Sequence, residues 1–338
     1  MIITIKDIAK ALNVSTATVS KAMHDYPDIG NKTKKRVKEY AEKIGYEPNI
    51  HASFLRTKKT RLIGIIVPNL NSNFYNELVA SLIGKITENR YLPIVLNSNE
   101  SIQVEGENLE RLMRQKVDGI FISLTKNTTS TDYLTKVMSS SCSLIAFSNT
   151  SKIIACNKVV FNDKEIIKEA TEYLIKKGNS KIAFIRKSLI SQNSINQFIG
   201  FRDAYQTHEL SIDNQRIIIS KQASLSEGFS IAKNLFNSGV KIDGFISYDD
   251  ILAIGAMKFY KENGFDIPND IRFIGQGNSG IGTFYTPELS SIKHNLSLMA
   301  EKVMSLFIKE QAGLKQKKIS PIKREEIKSE LIERASSI

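Results

Sequence analysis

Four histidines, two cysteines and one glycine-rich run are the places in this 338-residue sequence where metal, thiol or phosphate chemistry could start. Their spacing argues against each. His24, His51, His208 and His294 form no set at metal-ligand spacing, so no metal site is expected. Cys142 and Cys156 make neither a CxxC motif nor a ligand set, and both are read as buried free thiols. Gly275-Gln276-Gly277-Asn278-Ser279-Gly280 spells GxGxxG after a strand-like stretch. A dinucleotide site also needs a helix next and an acidic residue at a second strand end. Pro287 interrupts first, so no cofactor is expected. No nucleophile-elbow motif is present, and the chain is read as not an enzyme.

The remaining candidates are charges. The chain carries 47 Lys and Arg against 35 Asp and Glu, a net +12. Residues 1–61 hold 13 Lys and Arg against 6 Asp and Glu, net +7, whereas residues 62–308 carry only +2. A basic surplus on so short a stretch points to a polyanion partner. The length suits two domains, and 41% apolar residues can fill their cores. No apolar run approaches the ~18 residues of a membrane span. The N-terminal MIITIKDIAKALN has polar residues where a signal peptide needs apolar ones. No membrane partner is expected, and a cytoplasmic location is.

Behind the basic charge stand three short helices. Thr4 can cap a helix over Ile5–Leu12, with Ile5, Ile8, Ala9 and Leu12 on one face and Asp7 at its positive end. Asn13 stops it, Val14 plugs the turn, and Ser15 caps a second helix from Thr16 to about Met23. Two short helices joined by a tight turn make a helix-turn-helix. A third follows from about Asn31 to Ile44, stopped by Gly45.

The order "TIKDIAKALNVSTATVSKAMH", "IGNKTKKRVKEYAEKIGYEPN", "ASFLR" resembles the start of the LacI/GalR family of transcriptional regulators over some 55 residues. The resemblance implies a homodimer on double-stranded operator DNA. It implies that Thr16, Ala17 and Lys21 read bases, and the physics agrees, because the start of a second helix reaches major-groove edges. Many relatives carry Arg where Lys21 stands; Lys lacks the bidentate fork. Ser15, Asn31, Lys32 and Thr33 are expected on phosphates. Gly30 stands where the family usually has a capping Ser. Asn49 is expected to cap a hinge helix over Ile50 to about Arg56, too short to hold alone in water. There Ala52 and Leu55 match the family's small-then-wedge positions, with Leu55 kinking the minor groove and Arg56 beside phosphate. The expected limits are 1–46 for the helix-turn-helix domain and 47–60 for hinge helix and linker.

From residue 61 to 338 the texture changes to alternating strands and helices, from Leu62–Val67 through Asn76–Glu88 to Ile271–Gly275. Strands without polar alternation are buried on both faces, which reads as parallel sheet under helices. The fold class expected is a small all-α helix-turn-helix domain followed by an α/β domain of two Rossmann-like subdomains. The family resemblance continues through "GIIVPNLNSNFYNELVASL" and "DDILAIGAMKFYKENGFDIPNDIRFIG". It implies a periplasmic-binding-protein-like effector and dimerisation domain, with an N-subdomain at about 61–157 and 288–318 and a C-subdomain at about 158–287 and 319–338. Its small-molecule effector, a carbohydrate or derivative, is expected against Phe74, Ser123, Ser148, Gln197, Asp249 and Gly277. Gln197 stands where sugar-binding members place an Arg, Gly277 where they place an Asp, Asp249 where many have an Asn, and Ser148 where an Asp often follows the fourth strand. The pocket is therefore expected to hold less charge than a typical sugar site. Lys126, Arg186 and Lys187 are expected near a cleft edge, where an anionic ligand would also fit. No leucine-heptad helix follows Leu331–Arg334, so a dimer is expected.

Overall fold

The computed structural model describes residues 4–23, 25–46, 59–126, 128, 130, 132–140, 142–188, 190–315 and 321–338. It divides into two units, Met1–Thr60 and Arg61–Ile338.

The first unit packs α1 (Ile5–Leu12), α2 (Thr16–Met23) and α3 (Asn31–Lys43) around one apolar cluster. Asp7 accepts from the backbone N–H and the hydroxyl of Thr4, both at 2.7 Å, which fixes the first turn of α1. Asn13, left-handed at φ 51°, ends that helix. The Ser15 hydroxyl then accepts the Thr18 N–H at 3.0 Å and starts the next. Ile8, Val19, Ala22, Val37 and Ala41 are sealed between the three helices. Arg36 donates to the Leu12 carbonyl at 2.8 Å, tying α3 to the end of α1.

The second unit begins with β1 (Leu62–Val67), α4 (Asn73–Glu88), β2 (Leu92–Asn97), α5 (Ile102–Arg114), β3 (Gly119–Ile122), α6 (Thr135–Met138), β4 (Ser143–Phe147) and β5 (Asn157–Phe161). There follow α7 (Asp163–Lys176), β6 (Ile182–Arg186), α8 (Gln192–Thr207), β7 (Ile217–Ile219), α9 (Leu225–Asn237), β8 (Gly244–Ser247), α10 (Asp250–Glu262), β9 (Arg272–Gln276), α11 (Gly280–Phe284) and β10 (Ser290–Lys293). Last come α12 (Leu296–Lys315), β11 (Arg324–Ile327) and β12 (Glu330–Ile332).

These strands form two sheets, ordered β11-β5-β4-β3-β1-β2 and β12-β10-β9-β8-β6-β7. All pairings are parallel except β10 with β12. Each sheet has an apolar cluster on both faces, which is why strands such as LIGIIV show no polar alternation. The chain crosses between sheets three times. Because β5 and β11 pair side by side in the first sheet, with Lys158 opposite Arg324, those crossings come at Asn162 and about residue 328. The third comes at His294, between β10 of the second sheet and α12, which packs on the first. They lie about four, seven and nine residues beyond the expected 158, 287 and 319, because the short strands β5, β10 and β11 extend each sheet before the chain leaves it. Asn162 holds the cap position of α7, and Asp163 lies inside its first turn.

Candidate nucleic-acid interface and ligand cavity

In the first unit the start of α2 is open to solvent: Ser15, Thr16 and Ala17 are exposed, opposite the buried Val19 and Ala22. Asn31 and Lys32 are exposed at the start of α3, and Thr33 is half-buried there. Ser15 is already occupied as a helix cap, so a phosphate contact would share its hydroxyl. Gly30 supplies no side-chain bond at the cap of α3. Lys21 is half-exposed and ion-paired with Asp28, on the segment before α3. A bond from Lys21 to a base would have to replace that pair. Asn49, Ala52, Leu55 and Arg56 lie outside the described residues, as do His24 and His51.

In the second unit a cavity of about 480 Å³ opens between the two sheets. Phe74, Ser148, Gln197, Asp249 and Gly277 all stand on its wall. Phe74, at the start of α4, sits edge-on to Phe161 at 6.0 Å and to His294 at 5.8 Å. Ser148, just past β4, is held at φ 55° by its N–H bond to Val159. Asp249 accepts the Ile251 N–H at 2.9 Å and caps α10; burial pushes its carboxyl up to about 6. Gly277 has φ 120°, a conformation that a side chain there would strain.

Ser123 is the exception. It is fully buried beneath the wall, where its hydroxyl meets the Tyr75 hydroxyl at 3.0 Å and receives the Asn149 N–H at 3.3 Å. It supports Tyr75, which does line the cavity, and does not face a ligand itself. Lys126 and Lys187 reach the wall as expected. Arg186 does not: its guanidinium lies 4.4 Å from the Phe198 ring centroid and donates to the Ser194 carbonyl.

The structure also brings in residues that the sequence reading passed over. The Gln197 side-chain amide donates to the Asp163 carboxyl and to the side-chain Oε1 of Gln276, both at 3.2 Å. Gln276 Nε2 then meets His294 Nε2 at 2.7 Å, and His294 Nδ1 meets the Ser329 hydroxyl at 2.7 Å. With Gln276 as donor, the imidazole is the neutral tautomer protonated on Nδ1. Burial agrees, holding His294 down at about 4. The Ser329 N–H donates to Asn162 Oδ1 at 2.7 Å. The chain of bonds therefore joins the cavity floor to all three crossings. Burial pushes Asp163 up to about 7, only partly offset by the Gln197 amide. Asp250 accepts from Ser291 at 2.6 Å and from the Ser279 N–H at 2.6 Å. A Cβ on Gly275 would fall 2.2 Å from Asp250, so the first glycine of the GxGxxG run is there for a carboxylate, not a pyrophosphate. Nothing local in the sequence marks His294 or Ser329; they come together only because the crossings do.

A model of bacterial regulatory proteins of the lacI family matches residues 4–49. A model of periplasmic binding proteins and the sugar binding domain of the LacI family matches residues 60–334. The chain belongs to the LacI family. This LacI-family member is a DNA-binding transcriptional regulator with a ligand-binding second unit. It is 29% identical over 293 residues to Catabolite control protein A of Staphylococcus xylosus, covering 86% of this chain and 87% of that one. It is 26% identical over 339 residues to the HTH-type transcriptional regulator RegA of Clostridium saccharobutylicum, covering 100% of both. Its fold matches the lac repressor dimer bound to operator and the anti-inducer ONPF, with TM-score 0.87 at 19% identity over 100% of both chains. The transcriptional regulator CelR–cellobiose complex matches with TM-score 0.72 at 19% identity, over 99% of each.

Proposed function

We propose that this regulator is a homodimeric repressor whose operator affinity is set by a carbohydrate or carbohydrate derivative in the cavity between its two sheets. The observation that carries this is the cavity itself. It has the volume of a small-ligand site, an aromatic wall of Phe74, Phe161 and Tyr75, and a floor of amide and carboxyl groups. Amides and carboxyls suit hydroxyls, and aromatic faces suit the C–H face of a sugar ring. Phe74, Ser148, Gln197, Asp249 and Gly277 form its contact set, with Ser123 supporting from below. A ligand that prefers one arrangement of the two sheets shifts the equilibrium between them, and the three bonded crossings are where the shift is felt.

The DNA face is the exposed start of α2, with Thr16, Ala17 and Lys21 on bases and Ser15, Asn31, Lys32 and Thr33 on phosphates. The limits 1–46, 47–60 and 61–338 then correspond to reading, hinge and sensing, and in the hinge Asn49 caps, Ala52 packs, Leu55 wedges and Arg56 meets phosphate. A second copy docks on the apolar groove of Leu225, Phe229, Ile254, Ile281 and Phe284, where Phe284 is 88% exposed. The protein binds its ligand without transforming it. Its one cavity imidazole among the described residues is a weak base bonded to Gln276 and Ser329. A regulator of DNA works in the cytoplasm, and among the described residues no helix is long and apolar enough to cross a membrane. A gel-shift titration on the DNA upstream of its own gene tests the reading. Salt-sensitive, site-specific binding that a sugar alters is expected; its absence under every ligand condition overturns the proposal.

A further inference from the structure

The charged clamp missing from Gln197, Ser148 and Gly277 is supplied from elsewhere on the wall. We propose that the ion pair between Glu100 and Lys187 selects an uncharged carbohydrate by binding its neighbouring hydroxyls, and holds the cleft closed around it. This rests on the carbohydrate reading of the cavity.

The two residues come from different sheets. Glu100 follows β2, and Lys187 directly follows β6; both line the cavity. Lys187 Nζ lies 3.2 Å from Glu100 Oε1, with side-chain exposures of 26% and 19%. Glu100 Oε2 accepts the Lys126 N–H at 2.8 Å, and the neighbouring Ser188 hydroxyl donates across the cleft to the Lys126 carbonyl at 3.1 Å. Lys187 also stands 5.7 Å from the Tyr75 ring centroid. The carboxylate is deliberately placed. Asn99 and Glu100 are both left-handed, at φ 51° and 56°, an arrangement that costs non-glycine residues and persists only where surroundings hold it. The Glu100 N–H bond to the Pro68 carbonyl at 2.8 Å is part of that hold.

An ammonium with spare N–H groups beside a carboxylate with spare lone pairs offers a donor and an acceptor to adjacent hydroxyls. The same pair rejects anions. Lys187 is already neutralised, and among the described wall residues five carboxyl groups (Glu77, Glu100, Asp163, Asp249, Asp250) face three lysines (Lys126, Lys187, Lys221). A phosphate or uronate placed at the pair would lie against the Glu100 carboxylate, whose cationic partner Lys187 is already engaged; Lys126 and Lys221 are the wall's two other cations. A pair this well shielded is costly to break by removing one partner.

Two readouts on the full-length protein test the inference. Thermal shift compares neutral hexoses and disaccharides with their phosphates and uronates, and inorganic phosphate with chloride at equal ionic strength. Wild type should be stabilised by a neutral sugar and by no anion in the cavity. Glu100→Gln should weaken the neutral sugar by about ten-fold and admit phosphate. Small-angle scattering without ligand should show expansion in Glu100→Lys and in Lys187→Glu, and compaction restored in the charge-swapped double variant. Phosphate stabilisation of wild type that Lys187→Met abolishes would overturn the inference. So would single variants as compact as wild type. A neutral sugar that binds Glu100→Gln unchanged and still alters operator binding also overturns it, yet leaves the carbohydrate reading intact. Stabilisation lost in Glu100→Gln with no sugar altering operator binding would fault that broader reading instead.

Discussion

Lys21 has two competing partners. In the described structure its ammonium is paired with Asp28, and both groups are exposed, so the pair is weak. Contact with a guanine edge would exchange that carboxylate for the base's O6 and N7 acceptors. Replacing Lys21 by Ala should cost about 1–3 kcal/mol and relax preference at one position per half-site, read by competition gel shifts over single-base operator variants. An equal loss on all sequences would make Lys21 a phosphate contact. Asp28→Ala frees the ammonium and removes a negative charge beside the proposed DNA face. It should tighten operator binding several-fold at low salt, with the gain fading as salt is raised; fluorescence anisotropy across a salt series checks this.

At the scale of elements, the crossings carry the load. Asn162, His294 and Ser329 are bonded to one another and, through Gln276 and Gln197, to Asp163 on the cavity floor. Their titration gives a signed prediction. Burial raises Asp163 to about 7, Glu105 to about 7 and Asp249 to about 6, so from near pH 4 to pH 7 the folded chain binds more protons than the unfolded one. That stability is present at the acid end and is lost as pH rises through the folded values. His294, lowered to about 4 from 6.5, acts in the opposite sense below pH 6.5, where the unfolded chain binds the extra proton. Above 6.5 only the carboxyls still change, so the melting temperature should fall between pH 6.5 and about pH 8. Asp163→Asn should flatten that fall; an unchanged slope in a calorimetric pH series would show that Asp163 is ionised throughout. The hinge segment makes a separate prediction. Leu55→Ala should lose operator affinity while ligand binding, read by calorimetry, stays as in wild type. Normal operator binding would remove Leu55 from the minor groove.

For the whole molecule the proposed dimer is decisive, because each copy would read one half-site. Phe284→Glu puts a charge on the apolar groove of the second unit and should yield a monomer by sedimentation. Operator binding should fall by orders of magnitude while the ligand thermal shift persists. A Phe284→Glu dimer would place the second copy elsewhere.

Much of this was legible beforehand, and the reasons are local. The Thr4 and Ser15 starts, the Asn13 stop and the spacing of Ile8, Leu12, Val19 and Val37 are written in consecutive residues. So are buried strands such as LIGIIV, whose unbroken apolarity follows from sheet covered on both faces. Phe74, Gln197 and Asp249 could be placed because they follow strand ends or start helices at fixed offsets, and such ends face the cleft. What stayed hidden depends on residues far apart in the chain. β11 and β12 are short, and each lies beside a strand from another crossing, β11 beside β5 and β12 beside β10. Ser123 looked like a ligand contact because it ends a strand; only packing showed Tyr75 in front of it. By itself the sequence determined the reading unit and the alternating strands and helices of the second unit, since propensity, capping and apolar period act over a few residues; the loss of the usual clamp residues was visible only through the family resemblance. Only the tertiary structure decided that Glu100 meets Lys187 and that His294 meets Ser329. Those pairs are set by where strands of different sheets end, a relation that no spacing along the chain encodes.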